Sequence, residues 1–160
     1  MSFPKLLSLS ELAAESELFR SSGRRLVLTN GCFDLLHLGH VRYLQAARRR
    51  GDALLVAVNG DDSVRSLKGP SRPVNTELDR AEVLAALACV DFVTVFYSAR
   101  VTEVIQAVRP QIYVKGGDYT LESLDPGERG ALEAVGARIE ILELVAGKST
   151  TAILQKISTP

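Results

Sequence analysis

The sequence predicts an α/β fold, a five-stranded parallel sheet with helices on both faces. Two observations carry that prediction. Short stretches such as residues 53–58 (ALLVAV) are continuously apolar, and strands without polar alternation are buried on both faces. Between such stretches lie segments with a helical period; the clearest is Val101, Val104, Ile105 and Val108 at i, i+3, i+4 and i+7. Strands alternating with helices build parallel sheets.

The elements follow in order. Residues 10–21 are predicted as a helix, with Ser10 placed to cap it, Leu12, Ala13 and Leu18 on one face, and Gly23 ending it. A strand over 26–29 leads through a loop into a helix over 39–50, stopped by Gly51. After the strand at 53–58 come a short helix over 61–67 and the loop 68–73, stiffened by Pro70 and Pro73. A helix over 76–89 precedes a strand over 92–96. Pro110 closes the helix at 101–108, and residues 112–114 form the next strand. A helix over 128–135 ended by Gly136, a strand over 138–144 and a helix over 150–157 complete the chain. With no repeat, low-complexity tract or linker, residues 1–160 read as one Rossmann-like unit, with 1–24 as a helical extension packed on it.

Composition narrows the function. Lys+Arg and Asp+Glu both number 19, so the net charge is zero and the basic footprint of a nucleic-acid binder is absent. Affinity for phosphate must then come from a local site. The longest apolar runs, 53–58 and 83–90, fall far short of the roughly 20 residues that span a bilayer. Residues 1–5 carry no apolar stretch of signal-peptide type, so a cytoplasmic protein is expected. Cys32 and Cys89 form neither a CxxC pair nor a disulfide framework, and Cys89 is expected as a buried thiol ending a helix.

In open parallel sheets, ligands bind beyond the carboxyl ends of the strands near the topological switch point. Function is therefore expected just after Thr29, Val58, Val114 and Leu144. The two histidines of the chain, His37 and His40, lie three apart where a loop enters a helix, and residues i and i+3 share a face. A helix N-terminus favours anions, and each imidazole is a donor in either neutral tautomer. Two of them there suit phosphate oxygens, with Gly39 leaving room for a phosphate to approach the backbone. The alternatives are a capping histidine or half of a metal site, for which Cys32 and Asp34 are the nearby further ligands.

The loop 29–40 (TNGCFDLLHLGH) carries the pattern GxFDxxHxGH after a first strand. In this it resembles the cytidylyltransferase-like nucleotidyltransferases. Lys115-Gly-Gly-Asp-Tyr119 after a strand and Gly147-Lys-Ser-Thr-Thr151 at a helix start match further motifs in the right order. Ser149 also suits a helix cap, and a capped start beside hydroxyls is equally a phosphate seat. Within the superfamily the chain is most similar to the adenylyltransferases that make ADP-heptose from heptose 1-phosphate. The likeness rests on residues 30–34, Leu67-Lys-Gly69 with Arg72-Pro-Val-Asn75, residues 114–119 and Ser149-Thr-Thr151, and runs from about Lys5 to Ile157. Those enzymes often occur fused to a sugar kinase, and the stand-alone form is expected here.

The resemblance implies direct displacement: a sugar phosphate oxygen attacks the α-phosphorus of ATP and pyrophosphate leaves. His37, His40 and Lys68 are the implied catalytic residues. The nucleotide is expected among Asn30, Gly31, Cys32, Phe33, His37, Gly39, His40, Lys115, Gly116, Asp118, Ser149, Thr150 and Thr151. Asp34, Lys68 and Arg80 are expected on the phosphorylated acceptor, Asp34 either as a ligand or as the residue that orders the loop. Mg²⁺ is expected on the triphosphate with few protein ligands, no metal site is expected in the protein itself, and a homodimer is the form common in the family. The arginine run 48–50 reads as a solvated helix C-terminus.

The nearest rival is a cytidylyltransferase acting on glycerol 3-phosphate or phosphoethanolamine. Such enzymes carry an arginine before the Gly-x-Ser-Thr segment, where this chain has Leu144-Val-Ala-Gly147; that favours ATP. A flavin-nucleotide adenylyltransferase is more distant. A non-catalytic nucleotide sensor is opposed by the intact histidines, Lys68 and Ser149–Thr151. A dinucleotide-binding dehydrogenase is opposed by Asn-Gly-Cys-Phe in place of GxGxxG.

Overall fold

The structure, a computed structural model, describes residues 4–158; most of the 1–5 segment read for a signal peptide lies outside them. Five parallel strands, β1 (Leu26–Gly31), β2 (Ala53–Asn59), β3 (Phe92–Phe96), β4 (Ile112–Gly116) and β5 (Arg138–Leu142), form one sheet in the order β3-β2-β1-β4-β5. Seven helices are described: α1 (Leu9–Ser21), α2 (Leu38–Arg48), α3 (Asp61–Lys68), α4 (Glu77–Ala85), α5 (Thr102–Val108), α6 (Pro126–Val135) and α7 (Thr150–Ser158).

Strand alternation sorts the core into two layers. Leu26, Leu28, Ala53, Leu55 and Tyr113 face α1, α5 and α6. Val27, Leu54, Val56, Ile112 and Val114 face α2 and α4. All seven residues of β2 are buried, as its apolar run predicts. The edge of β3 is covered by the segment before α1: the Leu7 N–H donates to Val93 O (3.0 Å) and the Val93 N–H donates to Lys5 O (2.8 Å). Lys5 Nζ holds the segment through Leu87 O and Val90 O.

Several expectations are corrected. Ser8, not Ser10, caps α1, because Glu11 reaches back to Ser8 N–H and completes a capping box. Phe19 is buried where Leu18 was expected, and Leu18 is 63% exposed. The α4 helix stops at Ala85, so Cys89 sits in the following turn, half-buried. The arginines at the end of α2 are not merely solvated: Arg48 pairs with Asp91 (2.7 Å) and Arg50 with Glu140 (3.3 Å). Strands β1 and β4 run on to Gly31 and Gly116, whereas β5 stops at Leu142.

The site is positioned at the switch point. Strands β1 and β4 pair only at Val27↔Ile112 and Leu28↔Tyr113, then diverge. Thr29 Oγ1 and Tyr43 OH, 2.8 Å apart, both donate to the Val114 carbonyl at 3.1 Å and occupy the opened seam. A cleft starts above them.

Candidate active site

The cleft has a volume of about 850 Å³ and is lined from the ends of β1, β2, β4 and β5 and the starts of α2, α6 and α7. It brings together every expected site residue except one: Asn30, Gly31, Cys32, Phe33, Asp34, His37, Gly39, His40, Lys68, Lys115, Gly116, Asp118, Ser149, Thr150 and Thr151 all line it.

His37 is the N-cap of α2, and its Nδ1 accepts the Gly39 N–H at 3.1 Å. An accepting Nδ1 leaves the proton of the neutral ring on Nε2, as a donor. The capping alternative is therefore true together with the phosphate one. His40 stacks on His37 with ring centroids 3.9 Å apart, and Phe33 packs edge-on against it. Burial, with His37 adding to it, depresses His40 to about 4. Burial and the Lys148 charge also lower His37. Both rings are neutral donors at neutral pH. His40 Nδ1 is buried with no hydrogen-bond partner among the described residues.

Gly39 has a steric reason besides the one expected. A Cβ there would stand 2.8 Å from His37 Cε1 and 3.2 Å from Lys148 Cβ. The missing side chain makes room for the capping imidazole.

Asp34 is the residue that orders the loop. It is buried, takes the Arg72 guanidinium at 2.7 Å, and accepts the Val74 and Asn75 N–H groups at 2.8–2.9 Å. Burial pushes its carboxyl up, but the Asn75 and Val74 N–H groups and Arg72 outweigh this and hold it below the usual range. Lys68 is the last residue of α3 and exposed at the cleft rim, followed by Gly69 with φ 101°.

Arg80 is the exception. It is 2% exposed and does not line the cleft. Its guanidinium donates to Asn75 O (3.1 Å), Cys32 O (2.6 Å) and Asp61 Oδ1 (2.8 Å). Every nitrogen is spent inside the protein, so the structure does not bring Arg80 to an acceptor phosphate. It ties the first loop to α3 instead.

At the other wall, Ser149 Oγ accepts the Ala152 N–H (3.1 Å) and caps α7. Thr150 Oγ1 donates to Leu35 O (3.0 Å), binding this helix start to the histidine loop. Two helix N-termini therefore converge on one cleft, each a ready anion site. Sequence reasoning passed over Arg72, Arg100, Tyr119, Glu128 and Lys148, which also line it. Arg72, Tyr119 and Lys148 each lie inside a motif but were given no role. Arg100 and Glu128 had no local signal, because only the sheet order carries the starts of α5 and α6 to β4.

A doubly covered parallel sheet with paired helix starts and a histidine pair at its switch point defines the nucleotide-phosphate-binding class of α/β proteins. Comparison with known proteins narrows this. The cytidylyltransferase-like family model matches residues 28–155, and the chain belongs to that family of nucleotidyltransferases. Among curated relatives it is similar to the "Bifunctional protein HldE" of Geotalea uraniireducens, 51% identical over 97% of this chain and 31% of the relative. The protein of the same name from Trichlorobacter lovleyi is 51% identical over 93% of this chain and 29% of the relative. The chain thus spans about three tenths of the length of these relatives. Among solved structures it is similar to a lipopolysaccharide core biosynthesis protein from Thermoplasma volcanium, at 27% identity and TM-score 0.64, covering 77% of this chain and 98% of that one.

Proposed function

We propose that the chain transfers AMP from ATP to a sugar 1-phosphate, heptose 1-phosphate by the resemblance in its motifs, giving ADP-sugar and pyrophosphate. The observation that carries this is the stacked His37–His40 pair at the start of α2, facing the capped start of α7 across one cleft. The sugar phosphate oxygen forms a bond to the α-phosphorus as the bond to the bridging oxygen breaks, and pyrophosphate departs. The attacking group is already ionised, so the neutral histidines serve as hydrogen-bond donors to charge developing on phosphate oxygens, and no general base is needed. Lys68 at the rim adds a mobile positive charge.

Mg²⁺ suits the triphosphate and supplies charge neutralisation when bound. The chain's own carboxylates fit that division, since Asp34 is committed to Arg72 and the 74–75 backbone. The choice of ATP rests on Leu144 and Val145, which line the cleft beyond β5 and offer an apolar face to a purine. Leu144 Cδ2 lies where a Gly116 side chain would stand (2.8 Å from its Cβ position), so the Gly116-Gly117 turn and Leu144 close on one another. The experiment is pyrophosphate release with ATP or CTP at equal concentration, using heptose 1-phosphate and glycerol 3-phosphate as acceptors. ATP with heptose 1-phosphate is expected to be the fastest pair. Faster turnover of CTP with glycerol 3-phosphate would overturn the proposal.

A further inference from the structure

The cleft has a second lobe that the phosphate chemistry leaves unused. Strand alternation sends Thr29, Gly31 and Gly116 toward the α2 and α7 side and Asn30, Tyr113 and Lys115 to the opposite side, where Tyr113 OH donates to Asn30 Oδ1 at 2.7 Å. Lys115 therefore points away from the two helix starts that suit phosphate, toward the start of α6. It is 8% exposed, and Glu128 on α6 is 6% exposed, yet both line the cleft.

Among the described residues no ion pair joins these two opposite charges. The Lys115 ammonium sits over the Tyr119 ring, 4.7 Å from its centroid. Among the described residues, the Glu128 carboxylate accepts only the Val101 N–H, through one oxygen and at a long 3.3 Å. Burial lowers Lys115 although Glu128 and Asp118 oppose it. Arg100, at the rim, pairs with Asp125 instead (3.3 Å). Both side chains are largely buried but open onto the cleft, so a ligand that displaces water there must meet their hydrogen-bonding demand. A cationic donor and an anionic acceptor facing one gap match a hydroxyl, which both donates and accepts.

We propose that Lys115 and Glu128 form the seat for the polyhydroxylated ring of the acceptor, with Lys115 donating to ring hydroxyls and Glu128 accepting from one of them. The adenine and triphosphate occupy the α2–α7 side, and Glu128 discriminates acceptors by their hydroxyl pattern. This rests on the sugar-phosphate reading above.

The test is a cycle between residue and substrate, read by pyrophosphate release with ATP. Heptose 1-phosphate and its monodeoxy analogues are assayed with the wild type and with Glu128→Gln, which keeps an oxygen for Val101 N–H. The Kd of α,β-methylene-ATP is measured in both. Glu128→Gln is expected to raise the acceptor KM about ten- to hundredfold, the scale of a hydrogen bond to a charged group, and to leave the ATP-analogue Kd unchanged. One deoxy analogue should show the same loss in the wild type and no further loss in the variant. Additive losses for every analogue, or a parallel rise in the ATP-analogue Kd, would overturn the seat. If Glu128→Gln does not fold, Lys115→Met carries the same cycle. A wild type that turns over no sugar phosphate removes the functional reading and the seat with it; one that does, without the coupling, removes the seat alone.

Discussion

His37 and His40 act as a pair because each is held by something other than solvent: His37 by the Gly39 N–H, His40 by the two rings it packs against. Replacing either with alanine is expected to cut turnover about 10²–10³-fold, the usual cost of one charge-stabilising donor, with the far-ultraviolet spectrum unchanged. Near-normal turnover in the folded double variant would sink the assignment. Arg80 belongs to another category. Its removal would leave Asp61, Cys32 O and Asn75 O without their buried donor, so Arg80→Ala is expected to cost about 3–5 kcal/mol of stability. Urea unfolding measures this; a variant of wild-type stability with a selectively raised acceptor KM would return Arg80 to the phosphate role that sequence reasoning assigned it. In the sequence Arg80 and Lys68 look alike, two cations near one loop, and only burial separates them.

At the scale of elements, the start of α2 is a compromise among helix, cap and ligand site. Gly39→Ala would raise intrinsic helix propensity by up to about 1 kcal/mol. The new Cβ, however, would stand 2.8 Å from His37 Cε1 and 2.9 Å from Nδ1, displacing the ring and losing a cap worth about 1 kcal/mol. These terms cancel in stability but not in geometry. Gly39→Ala is therefore expected to keep Tm within a few degrees while kcat falls about tenfold or more. A drop in Tm with kcat intact would contradict this account. The strand starts were legible because buried parallel strands show as apolar runs, whereas the ends were not: β1 and β4 run on past their apolar stretches and β5 stops short of its own. The α1 cap was legible too, in Ser8-Leu-Ser-Glu11, where serine and glutamate have capping-box spacing; Ser10 lacks that partner. The end of α4 was not legible, since the apolar 83–90 run continues through a turn that packing imposes.

Across the whole molecule, the site sets an acid limit. His40 titrates near 4 in the folded protein against 6.5 as its ordinary value. A depressed histidine contributes stability above its unfolded pKa, and that contribution is lost as pH falls from about 6.5 towards about 4. Asp34, held below the carboxylate range, loses its share only at still lower pH. Tm is therefore expected to decline between pH 7 and 4, with a flatter profile for His40→Gln. A histidine NMR titration that finds His40 at its ordinary value would remove the effect. No helix among the described residues is long and apolar enough to cross a membrane.

The sequence by itself determined the alternation of strands and helices, the place of the site beyond β1, and the histidine pair, because apolar runs, helical periods and a dense loop motif are local signals. Tertiary structure alone decided which further charges face the cleft and which are drawn inside. Lys115 lies in a motif, but Glu128, thirteen residues on and on a different element, carries no mark that it lines the cleft. Arg80 follows a motif and is drawn into the interior. Charge is written in the residue, but its exposure and its partners depend on strand order, alternation and the crossing of loops at the switch point, which no short segment encodes.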